Sequence, residues 1–184
     1  MSELNQTALK IVSNNKGILA ADESTPSMLK KFDSINVKSN PENRLKYREI
    51  LFSADGMKNY IGGVILFDET LKQTTISGKS IPELINQSGA VIGIKVDAGT
   101  KFLAGSPEEK ITEGLDGLRE RLLEYYKLGA RFTKWRAIYK ISLNFNLFSG
   151  VDFTFTESNR FVIVPELSSA ANIPLPFETI FNAI

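Results

Sequence analysis

Two strings place basic side chains inside runs that otherwise read as buried strand. "GAVIGIKVDAG", residues 89–99, carries Lys95 among Val, Ile and Gly, and "RFTKWRAIYKIS" sets Lys134 and Arg136 two apart among apolar and aromatic neighbours. A third run, "KGILAAD", ends on Asp22. A lysine held out of water, or beside other cations, has its ammonium form disfavoured and becomes a better acid, base or nucleophile. Chemistry on a sugar phosphate or another polyol anion needs such a set: cations for the phosphate oxygens and a carboxylate to handle hydroxyl protons. Asp22, Lys95, Lys134 and Arg136 are the constellation that fits.

Each of these residues also has an ordinary reading. A strand lysine is usually an edge residue whose head reaches solvent. Asp22 can serve as an accessory cap for the helix that follows it, and residues 40–48 read as a solvated helix face. Three charges at matching strand positions weigh against these readings, yet pattern alone leaves both sides open.

Two absences narrow the chemistry. The 184 residues contain no cysteine and no histidine, which removes disulfides, thiol nucleophiles, Ser-His triads and zinc sites built on His or Cys. Catalysis within them falls to Lys, Asp, Glu, Tyr or a hydroxyl. A formal charge of +1 gives no general attraction to nucleic acid or acidic membranes. The longest apolar run, "YIGGVILF", is far short of the roughly 20 residues that span a bilayer, and "MSELNQTALK" has no signal-peptide pattern. The expectation is a cytoplasmic protein with a small anionic substrate and neither nucleic acid nor membrane as partner.

The elements that must position the charged residues follow a repeated grammar. "KGILAAD" reads as a strand, and "STPSMLKKFDSI" as a helix with Thr25 as N-cap and Pro26 first. A helix starts at Asn40 with Pro41 first, "NYIGGVILFDET" reads as the second strand, and "IPELINQSG" as a short helix closed by Gly89. "SPEE", residues 106–109, reads as a capping box opening a polar turn. Leu115, Leu118, Leu122 and Tyr125 or Tyr126 then form a stripe at helical spacing that Gly129 ends. Strands alternating with helices imply an α/β protein with parallel strands. Within the third strand Ile92, Ile94 and Val96 share a face, and Gly93, Lys95 and Asp97 the other. Ile18, Ala20 and Asp22 align in the first strand, and Phe132, Lys134 and Arg136 in the fourth. Small residues giving way to charge toward the carboxyl ends suit the inside of a barrel and its catalytic rim, with an open doubly wound sheet as runner-up.

The strings "GILAADEST", "ENRLKYRE", "IGGVILFDETL", "GIKVD", "LAG", "EGLDGLRERL" and "FTKWR" closely resemble the class I fructose-bisphosphate aldolases, colinearly over about residues 5–141. The resemblance implies a (β/α)8 TIM barrel of which about the first four β/α units are present. It implies reversible cleavage of fructose 1,6-bisphosphate to dihydroxyacetone phosphate and glyceraldehyde 3-phosphate in glycolysis, through a Schiff base and without metal, in a family that is usually homotetrameric. Carried over by position, Asp22 matches the aspartate that contacts the C4 hydroxyl and a neighbouring lysine. Lys95 and Lys134 match lysines lining the site, and Arg136 the arginine beside them. Ser24, Ser27, Lys31 and Arg44 match positions at or near the substrate and its C6 phosphate, although the family often has arginine where Lys31 stands.

The chain departs from the family after "KIS". The family's "VEPE" string, with its general acid/base, and its "LKPN" string, with the Schiff-base lysine, do not occur, and "VIVPEL" around Glu166 shares only the second acid of the former. Residues 143–184 hold 7 of the 12 phenylalanines and only 5 charged residues, so the text divides into residues 1–142, the N-terminal half of the barrel, and 143–184, a Phe-rich tail. The expectation is that the tail arises from a retained intron, a frameshift or an erroneous gene model, and that a chain so truncated is inactive in cleavage. A noncatalytic half-barrel acting as a binding or assembly module is the alternative. An enzyme of different chemistry with Lys95 or Lys134 as its amine is the third reading.

Overall fold

The structure, a computed structural model, describes residues 3–138. The Phe-rich tail, its Glu166 and the junction near Ser142 lie outside the described residues. In chain order the elements are α1 (Glu3–Val12), β1 (Gly17–Ala21), α2 (Thr25–Asp33), α3 (Pro41–Phe52), α4 (Met57–Tyr60), β2 (Ile61–Leu66), α5 (Asp68–Leu71), α6 (Ile81–Gln87), β3 (Val91–Lys95), β4 (Gly99–Leu103), β5 (Ser106–Glu113), α7 (Leu118–Lys127) and β6 (Phe132–Lys134).

Four strands form a parallel sheet in the order β1-β2-β3-β6. A doubly wound sheet reverses its strand order at a switch point, and no reversal occurs among the described strands. With right-handed crossovers, consecutive order brings the connecting helices to one face of the sheet. The main core lies there: Val64, Leu66, Ile92, Ile94 and Val96 pack against Phe52 of α3, Leu71 of α5, Ile81 and Ile85 of α6, and Leu122 and Tyr125 of α7.

Alternation along each strand sends Ile18, Ala20, Gly63, Ile65, Val91, Gly93, Lys95, Phe132 and Lys134 to the opposite face. On that face Ile65, Val91 and Phe132 close on Ile11 of α1 in a small apolar cluster. Gly93 is what admits the Phe132 ring, since a Cβ there would lie 2.3 Å from it. Toward the carboxyl ends the face turns polar. Ala21 pairs with Leu66, Leu66 with Ile94, and Lys95 with Lys134, so the register sets Asp22, Lys95 and Lys134 at one level across the sheet.

Three local readings of the sequence are corrected. "SPEE" is not a capping box: Ser106–Glu113 is a strand that pairs antiparallel with Gly99–Leu103 around a tip at Gly105, whose φ is 77°. The stretch 110–113, Lys-Ile-Thr-Glu, has the β-branched residues a strand favours and no helix follows for a cap to start. Leu115 is 66% exposed and precedes α7, so the buried stripe consists of Leu122 and Tyr125 with Leu118 partly buried. The cap of α2 is Ser24, with Pro26 in the first two positions, and no side chain caps that end. By contrast, Asn40 caps α3 by accepting from the Asn43 N–H at 2.7 Å, and Gly89, at φ 77°, follows α6 as expected.

Candidate active site

The polar end of the sheet holds two ion pairs side by side. Lys134, the last residue of β6, donates to Asp22 Oδ2 at 2.5 Å, with both side chains about nine-tenths buried. The two residues are 112 positions apart and meet only because β1 and β6 share a sheet. Lys95, paired with Lys134 in register, donates to Asp97 Oδ1 at 2.7 Å and to the Asp97 carbonyl at 2.8 Å. Each of the two adjacent lysines therefore has its own carboxylate, which offsets the repulsion between them. Neither is the exposed edge residue of the ordinary reading, and Asp22 is committed to Lys134.

A second tier surrounds the carboxyl end of β1. Glu23 accepts from Arg48 Nη1 at 2.7 Å and from Lys31. Burial pushes the Glu23 carboxyl up, but hydrogen bonds from Lys31, from Arg48 and from the backbone together outweigh it and hold the group below the ordinary glutamate range. Arg44 gives its guanidinium to Glu69 at 2.9 Å and to the Ser39 carbonyl at 3.2 Å. Thr25 and Gln73 donate to the same Glu69, at 3.2 Å and 3.1 Å. Ser24 and Ser27 lie with their hydroxyls 3.1 Å apart at the start of α2.

Asp22, Lys95 and Lys134 thus come together, Ser24 and Ser27 stand beside one another next to Asp22 in the chain, and Lys31 and Arg44 are engaged by carboxylates of the tier around them. Arg136 lies just past β6 with its side chain exposed, while its carbonyl accepts from Thr112 Oγ1 of β5 at 2.5 Å. Asp97, Glu23, Glu69 and Arg48 were not among the candidates. Asp97 sits two residues from Lys95 in an extended segment, a spacing that signals a shared face. The Arg48 side chain is only 2% exposed, which corrects the reading of residues 40–48 as a solvated face; a single helix sequence carries no sign of a glutamate supplied from the segment after β1.

No group of three or more His, Cys, Asp or Glu able to hold a metal occurs among the described residues. No described helix is long and apolar enough to cross a membrane.

Comparison with known proteins completes the picture. The sequence family described as fructose-bisphosphate aldolase class-I matches residues 3–154. The probable fructose-bisphosphate aldolase class 1 of Xylella fastidiosa (strain Temecula1 / ATCC 700964) is 50% identical over 141 residues, 77% of this chain and 42% of the relative. Fructose-bisphosphate aldolase A of Salmo salar is 54% identical over 141 residues, covering 76% of this chain and 39% of its own length. The solved structure of the Plasmodium falciparum fructose-bisphosphate aldolase, in complex with TRAP and a small-molecule inhibitor, superposes with a TM-score of 0.71 at 50% identity, over 73% of this chain and 39% of that one. The chain spans about two fifths of the length of these relatives.

Proposed function

Because the chain belongs to the class-I fructose-bisphosphate aldolase family, we propose that its described residues form the substrate-handling part of a site for aldol cleavage of fructose 1,6-bisphosphate, on the first four β/α units of a TIM barrel. The observation that carries this reading is the buried Lys134–Asp22 pair, 2.5 Å long, beside Lys95 at the carboxyl ends of consecutive parallel strands. Ligands of such folds bind at that end of the strands.

Breaking the C3–C4 bond of the sugar needs a base for the C4 hydroxyl proton and an electron sink at C2. In this reading Asp22 accepts the hydrogen bond of the C4 hydroxyl, while the family's general acid/base belongs to the "VEPE" string that does not occur in this sequence. Lys134 holds the Asp22 carboxylate in place and, with Lys95, offers N–H donors to the sugar oxygens and to a phosphate. Arg136, exposed past β6, adds a cation at the mouth, and the Ser24 and Ser27 hydroxyls serve the C6 phosphate end. Lys31 and Arg44, engaged by Glu23 and Glu69, keep further N–H donors that can serve a phosphate. The electron sink in this family is an imine on a lysine whose string does not occur in this sequence. The described residues therefore bind and orient the sugar phosphate, without the sink into which cleavage would deliver the C3–C4 electron pair. A cytoplasmic location and a sugar phosphate partner belong to the same reading.

Calorimetric titration with fructose 1,6-bisphosphate tests it. Loss of a charge-assisted hydrogen bond is worth about 1.5–3 kcal/mol, so a folded Lys134→Ala variant should bind at least about tenfold more weakly; equal affinities would remove Lys134 from the site. Treatment with dihydroxyacetone phosphate and borohydride should leave the intact mass of the 184-residue chain unchanged. A stoichiometric adduct on Lys95 or Lys134 would make that lysine the nucleophile instead.

A further inference from the structure

Asp97 is a carboxylate in an uneconomical place. Its side chain is 1% exposed, Oδ1 accepts both the Lys95 ammonium at 2.7 Å and the Gly99 N–H at 3.2 Å, and Oδ2 is buried with no hydrogen-bond partner among the described residues. A buried ion pair adds little net stability compared with apolar packing, and an unsatisfied buried oxygen is a cost. Stability alone does not account for the residue.

The geometry around it does. Lysine has three N–H donors, and Asp97 takes two of them with its carboxylate and its own carbonyl. Asp97 is itself held from two sides. Ala98 N–H donates to the Glu113 carbonyl at 2.7 Å, and Arg121 of α7 donates to the Val96 carbonyl at 3.2 Å and to the Gly114 carbonyl. Gly114 closes the frame: at φ 126° its missing Cβ would stand 2.7 Å from the Ala98 nitrogen.

We propose that Asp97 is a positioning residue for Lys95: it fixes two of the three ammonium N–H groups and leaves the third directed to an oxygen of a bound sugar bisphosphate. The proposal rests on the reading of this face as a sugar-bisphosphate site, and its test separates the two.

On the unliganded chain, labelled with 15N and 13C, the Lys95 ammonium should give a resolved signal with a through-hydrogen-bond coupling to the Asp97 carboxyl carbon. That coupling should vanish in Asp97→Ala, which removes the oxygen that receives both the Lys95 ammonium and the Gly99 N–H. A Lys95 ammonium without the coupling in the unmutated chain overturns the proposal whether or not the variant folds. In titrations with fructose 1,6-bisphosphate, Asp97→Ala should weaken binding about tenfold, and the same substitution in a Lys95→Met background should change it by less than about twofold. Equal losses in the two backgrounds would mean that Asp97 does not act through Lys95 and would also overturn it. An intact coupling with no bisphosphate binding would instead sink the proposed function and leave the positioning of Lys95 standing.

Discussion

Glu23 is where a single side chain decides most about the rim of the site. Its two oxygens are divided between Arg48, which is almost wholly buried, and Lys31, which is half-exposed. Removing the carboxylate strands the Arg48 guanidinium in a place water cannot reach, and breaking a buried pair from one side costs about 3–5 kcal/mol. Glu23 is itself 17% exposed, so solvent screening brings the expectation for Glu23→Gln down to about 2–3 kcal/mol. The pH dependence has a definite sign. The folded-state pKa lies below the ordinary value, so the stabilisation is fully present above the unfolded value of about 4.3 and is lost as pH falls through the folded one. Urea unfolding across pH should show a constant gap between the parent and Glu23→Gln above about pH 5, closing below the ordinary glutamate range. At this scale the sequence was legible in the placement of Asp22, Lys95 and Lys134 at one end of the sheet, where strand periodicity sets them on a shared face. It was silent on Glu69 and Arg48, because an ion pair between residues 25 apart depends on how helices pack and leaves no local pattern.

Among the elements, β3 shows how closely backbone and side chain are matched. Its Gly93 lies beneath the Phe132 ring of β6, and a methyl group there would overlap the ring at 2.3 Å. Overpacking of this kind costs about 1–3 kcal/mol, so Gly93→Ala should lower the denaturation midpoint. The effect should be largely relieved in a Gly93→Ala, Phe132→Leu double variant, a coupling that a double-mutant cycle measures directly. Strands and long helices were readable from alternation, Pro at helix starts and Gly at helix ends. The β4–β5 hairpin was not. Ser, Pro and two Glu in a row satisfy the local rule for a helix start, and what overrides it is the antiparallel pairing of Glu113 with Gly99 and of Thr112 with Thr100, an interaction between segments that the local string does not contain.

Across the whole molecule, β2 and β3 are hydrogen-bonded on both sides, while β1 and β6 each pair on one side among the described strands. Local opening is easiest where hydrogen bonds are few and near an edge. Amide exchange should therefore be slowest in Val64, Ile65, Ile92 and Ile94 and measurably faster in β1, whereas uniform protection of all four strands would mean that the edges are covered. The parallel α/β class was legible from the alternation of elements, and the consecutive strand order followed from the resemblance; the pairing of α1 residue Ile11 with the far face of the sheet was not, since an amphipathic helix does not say which surface it covers. The hairpin between β3 and α7 leaves a practical legacy. Its base is locked by Asp97, Gly114 and Arg121, while residues 103–105 at its tip are exposed and a Cβ at Gly105 would meet nothing within 4 Å. Inherited changes should accumulate at the tip and be purged at the base, and the same asymmetry makes residues 104–105 a graft point where a reporter dye or an affinity tag can be carried without disturbing the lysines below.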